Sequence, residues 1–92
     1  MSDQDKPHAD LLKLDFSIFV MSIIESAHIH LGDVPGPDGH VERNLILAQH
    51  NIELLALLEE KTKGNLTGPE ESLLMRALDD LRQRFTEASK DT

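Results

Sequence analysis

The stretch Phe16–Gly32, FSIFVMSIIESAHIHLG, is the most hydrophobic part of an otherwise acidic chain. On a helical wheel, one broad face collects Phe16, Phe19, Val20, Ile23, Ile24, Ala27 and Leu31. The opposite strip is apolar with small residues in its middle, and it consists of Ile18, Ser22, Ser26 and Ile29. A helix that is apolar on two sides has to be buried on two sides. We therefore expect a helix that packs on its own chain with one face and on a second copy of the chain with the other.

This segment is too short to cross a membrane as a helix. Its helical part, Phe16–Leu31, would reach about 24 Å, whereas the hydrocarbon core of a bilayer is about 30 Å thick. Glu25, His28 and His30 interrupt the apolar run as well. The sequence predicts no membrane span.

The composition limits the classes of protein to which the chain can belong. Its 92 residues suffice for one small domain, and a hydrophobic content of 39% with 28% charged residues is typical of a globular protein. A formal net charge of −8 argues against nucleic acid as a partner, because phosphate binding needs an excess of Lys and Arg. The absence of cysteine excludes disulfides, zinc–thiolate sites and cysteine nucleophiles.

Two segments break the chain into three helices. GDVPGPDGH, residues 32–40, is too rich in Gly and Pro to continue a helix. KGNLTGP, residues 63–69, combines a helix-ending glycine, a turn-forming asparagine and the T-x-x-E spacing of a capping box. These structural turn and cap residues are Gly64, Asn65, Thr67 and Glu70.

The predicted helices are therefore Phe16–Leu31, Val41–Lys63 and Gly68–Ala88, within one helical domain at residues 15–88. The second and third should form an antiparallel hairpin because their connection is short, and the first should pack across it. The fold class is all-α. Residues 1–14 are expected to be a mobile acidic tail and residues 89–92 a C-terminal tail. The polar N-terminal residues are not those of a secretory signal, so a cytoplasmic location is expected.

The second helix carries two asparagines one heptad apart, Asn44 and Asn51, between two apolar stripes. A buried asparagine can fix the register and number of partners in a helical assembly at a cost in stability. The same asparagines could instead face solvent or cap the helix. The sequence leaves both interpretations open.

Histidines and carboxylates cluster around the Gly/Pro loop, and His28, His30, Asp33 and His40 could together bind zinc, nickel or iron. However, His28 and His30 are two residues apart, so on a helix they point to different faces. Their position in the last helical turn also suits capping histidines or histidines satisfied within the core. We favour the structural interpretation and retain a metal- or small-ligand-binding regulator as the alternative.

No catalytic motif accompanies these residues. The sequence contains no nucleophile elbow, phosphate-binding loop or dinucleotide fingerprint. We therefore expect a non-enzymatic protein without a cofactor. Its expected partners are itself, as a homodimer or higher oligomer, and another protein.

Several phrases of the sequence resemble a known family of short bacterial proteins. They are the F-S-x-F opening at Phe16–Phe19, the H-L-G ending at His30–Gly32, the E-K-T-K-G-N-L-T phrase at Glu60–Thr67 and the L-R-x-x-aromatic close at Leu81–Phe85. The chain is similar in these phrases, over residues 15–86, to the family catalogued as domain of unknown function 1844. The resemblance implies a fold boundary and a bacterial origin, and it implies no activity.

Overall fold

The computed structural model describes residues 15–91. Three helices account for most of them: α1 at Phe16–Leu31, α2 at Leu45–Lys61 and α3 at Gly68–Lys90. Each helix packs against both of the others. The predicted all-α fold of three helices, with α2 and α3 as a hairpin under α1, is confirmed. The predicted acidic tail at residues 1–14 lies outside the described residues.

Local capping begins and ends the first helix. The side chain of Asp15 accepts a hydrogen bond from the backbone N–H of Ile18 at 2.9 Å, which satisfies one of the unpaired donors at the start of α1. At the other end, Gly32 takes a left-handed conformation with φ of 83°. Its N–H donates to Ile29 O at 3.1 Å, and the next N–H donates to His28 O at 2.9 Å. The left-handed conformation ends the helix, and glycine suits this position because a residue with a side chain is strained in it.

The second helix begins later than the sequence suggested. Its predicted start at Val41 was wrong, because α2 begins at Leu45 and Val41 is exposed in the preceding loop. The N–H of Asn44 donates to His30 O at 2.7 Å, which ties this residue to the end of α1. The Asn44 side chain then accepts from Leu47 N at 3.1 Å and caps α2.

The third helix starts at a capping box and continues to Lys90, two residues beyond the predicted end at Ala88. The core lies where the three helices meet and consists of apolar side chains from all of them. Its fully or nearly fully buried members are Val20, Ile23, Ala27 and Leu31 of α1, Ala48, Ile52 and Leu55 of α2, and Leu74, Ala77, Leu78, Leu81 and Ala88 of α3. Among residues 15–91, no helix is both long enough and apolar enough to cross a membrane.

Candidate functional site

The first candidate site is a surface on which α1 and α2 lie side by side, away from the core. We call it the α1–α2 face. On α1 it holds the predicted interface residues Ile18, Ser22, Ser26 and Ile29, and on α2 it holds Leu47, Asn51 and Leu54. On both helices these residues lie at wheel positions away from the fully buried side chains.

The α1 part of this face is apolar except for its two serines and the exposed carboxylate of Glu25. Ile18 is 51% exposed, although a side chain of its size is normally much better covered. Ile29 is half-buried and Ser26 is half-buried beside it. The hydroxyl of Ser22 donates to Phe19 O at 2.8 Å, so it is already satisfied by its own helix. A partner covering this strip would therefore leave no unpaired hydroxyl at Ser22.

The two asparagines have defined roles within the chain. Asn44 caps α2, as described above, and is exposed. The amide oxygen of Asn51 lies 2.8 Å from His30 Nδ1. Because an amide oxygen can only accept, His30 Nδ1 is the donor in this hydrogen bond. The Asn51 side chain thus joins α2 to α1 and the Asn44 side chain caps α2, and their participation in an oligomer interface stays a prediction.

The second candidate site is a cleft beside this face, between the end of α1 and the loop that precedes α2. It has a volume of about 400 Å³. Apolar atoms of Ile29, Pro37 and Leu47 line it together with polar side chains. The polar lining is His30, Asp38, His40, Glu42 and Asn44. Its chemistry would suit a small ligand with hydrogen-bonding groups and an apolar part.

The loop that walls this cleft is held by short-range bonds. Gly36 N donates to His40 O, and Gly39 N donates to Gly36 O, both at 2.9 Å. The Asp38 carboxylate accepts from His40 N at 3.0 Å and lies 3.3 Å from His40 Nδ1. These bonds from His40, the backbone one first, hold the pKa of Asp38 below its usual value.

The structure separates the four residues of the alternative metal site into two places. His30 and His40 both line the cleft, whereas His28 Nδ1 lies 2.8 Å from the Asp33 carboxylate, outside the cleft lining. Asp33 is also bound by the guanidinium of Arg84. Within residues 15–91, no group of three or more His, Asp or Glu side chains is placed to hold a metal ion.

The Asp33 cluster links the loop to α3 electrostatically. The Arg84 guanidinium, by its hydrogen bonds first, and His28 hold the pKa of Asp33 below its usual value against the opposing effect of burial. Asp33 and Glu87 in turn raise the pKa of Arg84. Arg84 Nη1 donates to Glu87 at 2.7 Å, so the guanidinium joins two carboxylates. This arrangement anchors the loop to α3, and it pairs the Asp33 carboxylate with both His28 and Arg84.

The predicted turn and cap residues meet between α2 and α3. Gly64 has a left-handed φ of 87°, and Asn65 N donates to Thr62 O at 2.9 Å. Thr67 and Glu70 form both halves of the capping box, with distances of 3.2 Å and 2.9 Å. These contacts build the turn and the helix cap, so each of the four residues has a structural role.

Sequence reasoning missed two features. The apolar side chains of α2 that point outward include Ile46 and Leu57, which it did not assign to an interface; the heptad spacing of Leu47, His50, Leu54 and Leu57 was the available signal. The anchoring roles of Arg43 and Arg84 carried no local signal, since their partners lie up to 45 and 51 residues away in sequence.

A comparison with known protein families identifies the same family that the short sequence phrases resemble. The family profile of the domain of unknown function DUF1844 matches residues 13–87, which includes all of α1 and α2 and most of α3. Neither a curated protein nor a solved structure matches the chain. The chain belongs to the DUF1844 family.

Proposed function

We propose that this protein is a non-enzymatic interaction module that pairs with a second copy of itself through the α1–α2 face. In this proposal the pair, acting in the bacterial cytoplasm, then recognises another protein through the surfaces that remain open. The observation that carries the proposal is the large exposed fraction of apolar side chains at Ile18, Leu47 and Leu54 on one face.

The charge of the protein supports the same face. Each copy has a formal net charge of −8, so two copies repel one another over most of their surface. The face carries one carboxylate on α1, that of Glu25, which is exposed and lies beside Ile18 and Ile29 on the wheel, whereas its defining residues are uncharged. Two copies therefore repel one another less across this face than elsewhere, and the pair has to leave the Glu25 carboxylate in contact with water.

The size of the face limits the strength of the interface that it can form. Two adjacent helices of this length present a surface about 24 Å long and about 19 Å wide, a footprint of roughly 450 Å² per copy. The pair would then bury about 900 Å² in total, which is below the roughly 1,000 Å² of a stable specific complex and in the range of weak or transient contacts. Burying it would withdraw several large apolar side chains from water, which is the main favourable contribution to association.

Size-exclusion chromatography with light scattering tests this proposal. We expect a mass of about twice the 10.3 kDa of one chain at micromolar concentration. Ile18→Glu should shift the mass toward the monomer. The matched control is Met75→Glu, which alters an apolar side chain of α3 that is 43% exposed outside the face and should leave the mass unchanged. A wild-type protein that remains a monomer would contradict the proposal.

A second candidate function, binding of a metal ion or small ligand, is favoured by one observation. His30, His40, Asp38 and Glu42 all line the cleft, and a metal ion would have to draw them closer together, because no three of them are placed to hold it in the structure. Elemental analysis of untagged protein, combined with thermal denaturation in zinc or nickel, tests it. Stoichiometric metal, or a stabilisation that His30→Gln removes, would support this function; neither metal nor stabilisation would rule against it.

A further inference from the structure

One dipeptide in the loop between α1 and α2 is chemically vulnerable. Asp38 is followed by Gly39, and the sequence contains no other Asp–Gly pair and no Asn–Gly pair. The backbone nitrogen that follows an aspartate can attack the carboxyl carbon of that side chain, and glycine hinders this attack least because it has no side chain of its own. The Asp38 side chain is 70% exposed, and a Cβ added at Gly39 would meet no atom of a non-adjacent residue within 4 Å. Neither burial nor crowding shields this dipeptide.

The vulnerability is toward isomerisation, which needs neither an oxidant nor a cofactor. First, Gly39 N bonds to Asp38 Cγ; the hydroxyl of the protonated carboxyl group and the amide proton leave together as water, and a cyclic succinimide forms. Water then opens the ring at either of its carbonyl carbons. Opening at Cγ restores aspartate, whereas opening at the main-chain carbonyl carbon of Asp38 routes the backbone through the side chain and gives isoaspartate. The product has the same mass as the original chain.

The fold opposes the first step at both reacting groups. Gly39 N donates to Gly36 O at 2.9 Å, so the proton that has to leave is engaged with another acceptor. On the carboxylate, Oδ1 accepts from His40 N at 3.0 Å, and Oδ2 lies 3.3 Å from His40 Nδ1. Gly36 N also donates to His40 O at 2.9 Å and closes the turn around the dipeptide. Ring formation has to break the Gly39 bond and release a carboxylate oxygen from His40.

We propose that Asp38 is a site of spontaneous isomerisation to isoaspartate whose rate is controlled by opening of the turn at residues 36–40. While the turn is closed, the reaction is slow because the bonds to Gly36 and His40 have to break first. When the turn opens, the dipeptide reacts as it would in an unstructured peptide. This proposal depends neither on self-association nor on ligand binding.

Isomerisation would alter the cleft that this loop borders. The main chain would gain one atom between Asp38 Cα and Gly39 N, inside the short turn that Gly36 N and His40 O close. The side-chain carboxylate that binds His40 would be consumed, and a carboxylate attached directly to Asp38 Cα would replace it. Because Asp38 and His40 both line the cleft, the modification would change the shape and the lining of the candidate ligand site.

Peptide mapping by liquid chromatography and mass spectrometry tests both the site and its protection. Native protein and protein in guanidinium chloride are aged side by side at mildly acidic pH, and isoaspartate is quantified at Asp38. It should accumulate at least about tenfold faster in the denatured chain. Asp33 is the internal control, because the β-branched Val34 follows it in the same loop, and it should stay unaltered in both samples. A denatured chain without isoaspartate at Asp38 would overturn the site, and equal rates would overturn the protection.

Low concentrations of denaturant distinguish opening of the turn from unfolding of the whole chain. A local opening exposes little surface, so the rate of isomerisation should hardly change until the helices themselves begin to unfold. A rate that instead rises from the first addition of denaturant, in proportion to the unfolded fraction, would overturn control by the turn.

His40→Ala tests the contribution of the side chain that lies against the Asp38 carboxylate. His40 is 80% exposed, so the fold should be retained. The native rate of isomerisation should rise about threefold, because one weak, exposed contact to the carboxylate is lost, and the rate in the denatured chain should stay the same. The matched control is His50→Ala, which removes an exposed histidine of α2 and should leave both rates unchanged. Equal native rates in the two variants would contradict protection by His40.

Discussion

The two connections between helices are built on different principles. The turn at residues 62–67 joins α2 to α3 by contacts between near neighbours in sequence, namely Asn65 N to Thr62 O and the reciprocal bonds of Thr67 and Glu70. The loop at residues 32–44 joins α1 to α2; short-range bonds hold its middle, whereas contacts with distant residues hold its two ends. Asp33 binds Arg84, 51 residues away, and Arg43 donates to Ala88 O, 45 residues away.

This difference explains what each connection can do. A turn made from neighbouring residues is favoured by its local sequence and needs no contact with α1 for its hydrogen bonds. The ends of the longer loop are positioned by the packed helices, and their contacts in turn join the ends of α1 and α3. The longer loop also provides one wall of the cleft, so the geometry of the candidate ligand site depends on contacts with α3.

The largest expected effect is that of Arg43→Met. Arg43 Nε donates to Leu31 O at 3.3 Å and Nη1 donates to Ala88 O at 3.4 Å, so one guanidinium satisfies carbonyls at the ends of both α1 and α3. Removing these charge-assisted bonds should lower the free energy of unfolding by about 2 kcal/mol. Denaturation with urea would measure the loss, and Arg76→Met at an exposed position of α3 should cost less than about 0.5 kcal/mol.

If Arg43→Met instead cost no more than its control, the long loop would not depend on distant contacts as described. The two connections would then not differ in their dependence on distant residues.

Thr67→Ala tests the local connection and should have an intermediate effect. It removes the oxygen that accepts from Glu70 N, and a lost N-cap costs about 1 kcal/mol. Ser72→Ala in the same helix is the control and should not lower the free energy of unfolding. The effects of Thr67→Ala and Arg43→Met should add within about 0.5 kcal/mol, because the two sites lie at opposite ends of the 23-residue α3. Strong non-additivity would show that the connections are coupled.

Asp33→Asn should have the smallest effect, and that effect should depend on pH. Since Arg84 lowers the pKa of Asp33 in the folded protein, the ionised carboxylate stabilises the fold above its unfolded pKa, about 3.9. This contribution is lost as the pH falls through the lowered folded value. The difference in free energy of unfolding between wild type and Asp33→Asn should be below about 1 kcal/mol at pH 7 and should vanish toward pH 2.

High salt provides the control for this prediction, because it screens the partly exposed ion pair and should reduce the difference at pH 7. A difference that persisted unchanged at pH 2 or in high salt would mean that Asp33 acts through something other than its charge.

Features that depend on neighbouring residues could be predicted from the sequence, whereas features that depend on distant residues could not. The bounds of α1 and the start of α3 at Gly68 could be predicted, because the hydrophobic run, Gly32 and the Thr67–Glu70 spacing are local signals. The start of α2 could not, because Asn44 is fixed by its bond to His30 O. The pairing of His30 with Asn51 also escaped prediction, since these residues are 21 positions apart.

The sequence by itself determined three helices, the hairpin turn and the membership of the family, because apolar periodicity and capping depend on residues within a few positions of each other. Only the tertiary structure decided that His30 meets Asn51, that Asp33 meets Arg84 and that Leu47, Leu54 and Leu57 stay uncovered. The physical reason is that such contacts depend on which helix ends and faces come together in packing, and residue types along the chain do not specify that arrangement one position at a time.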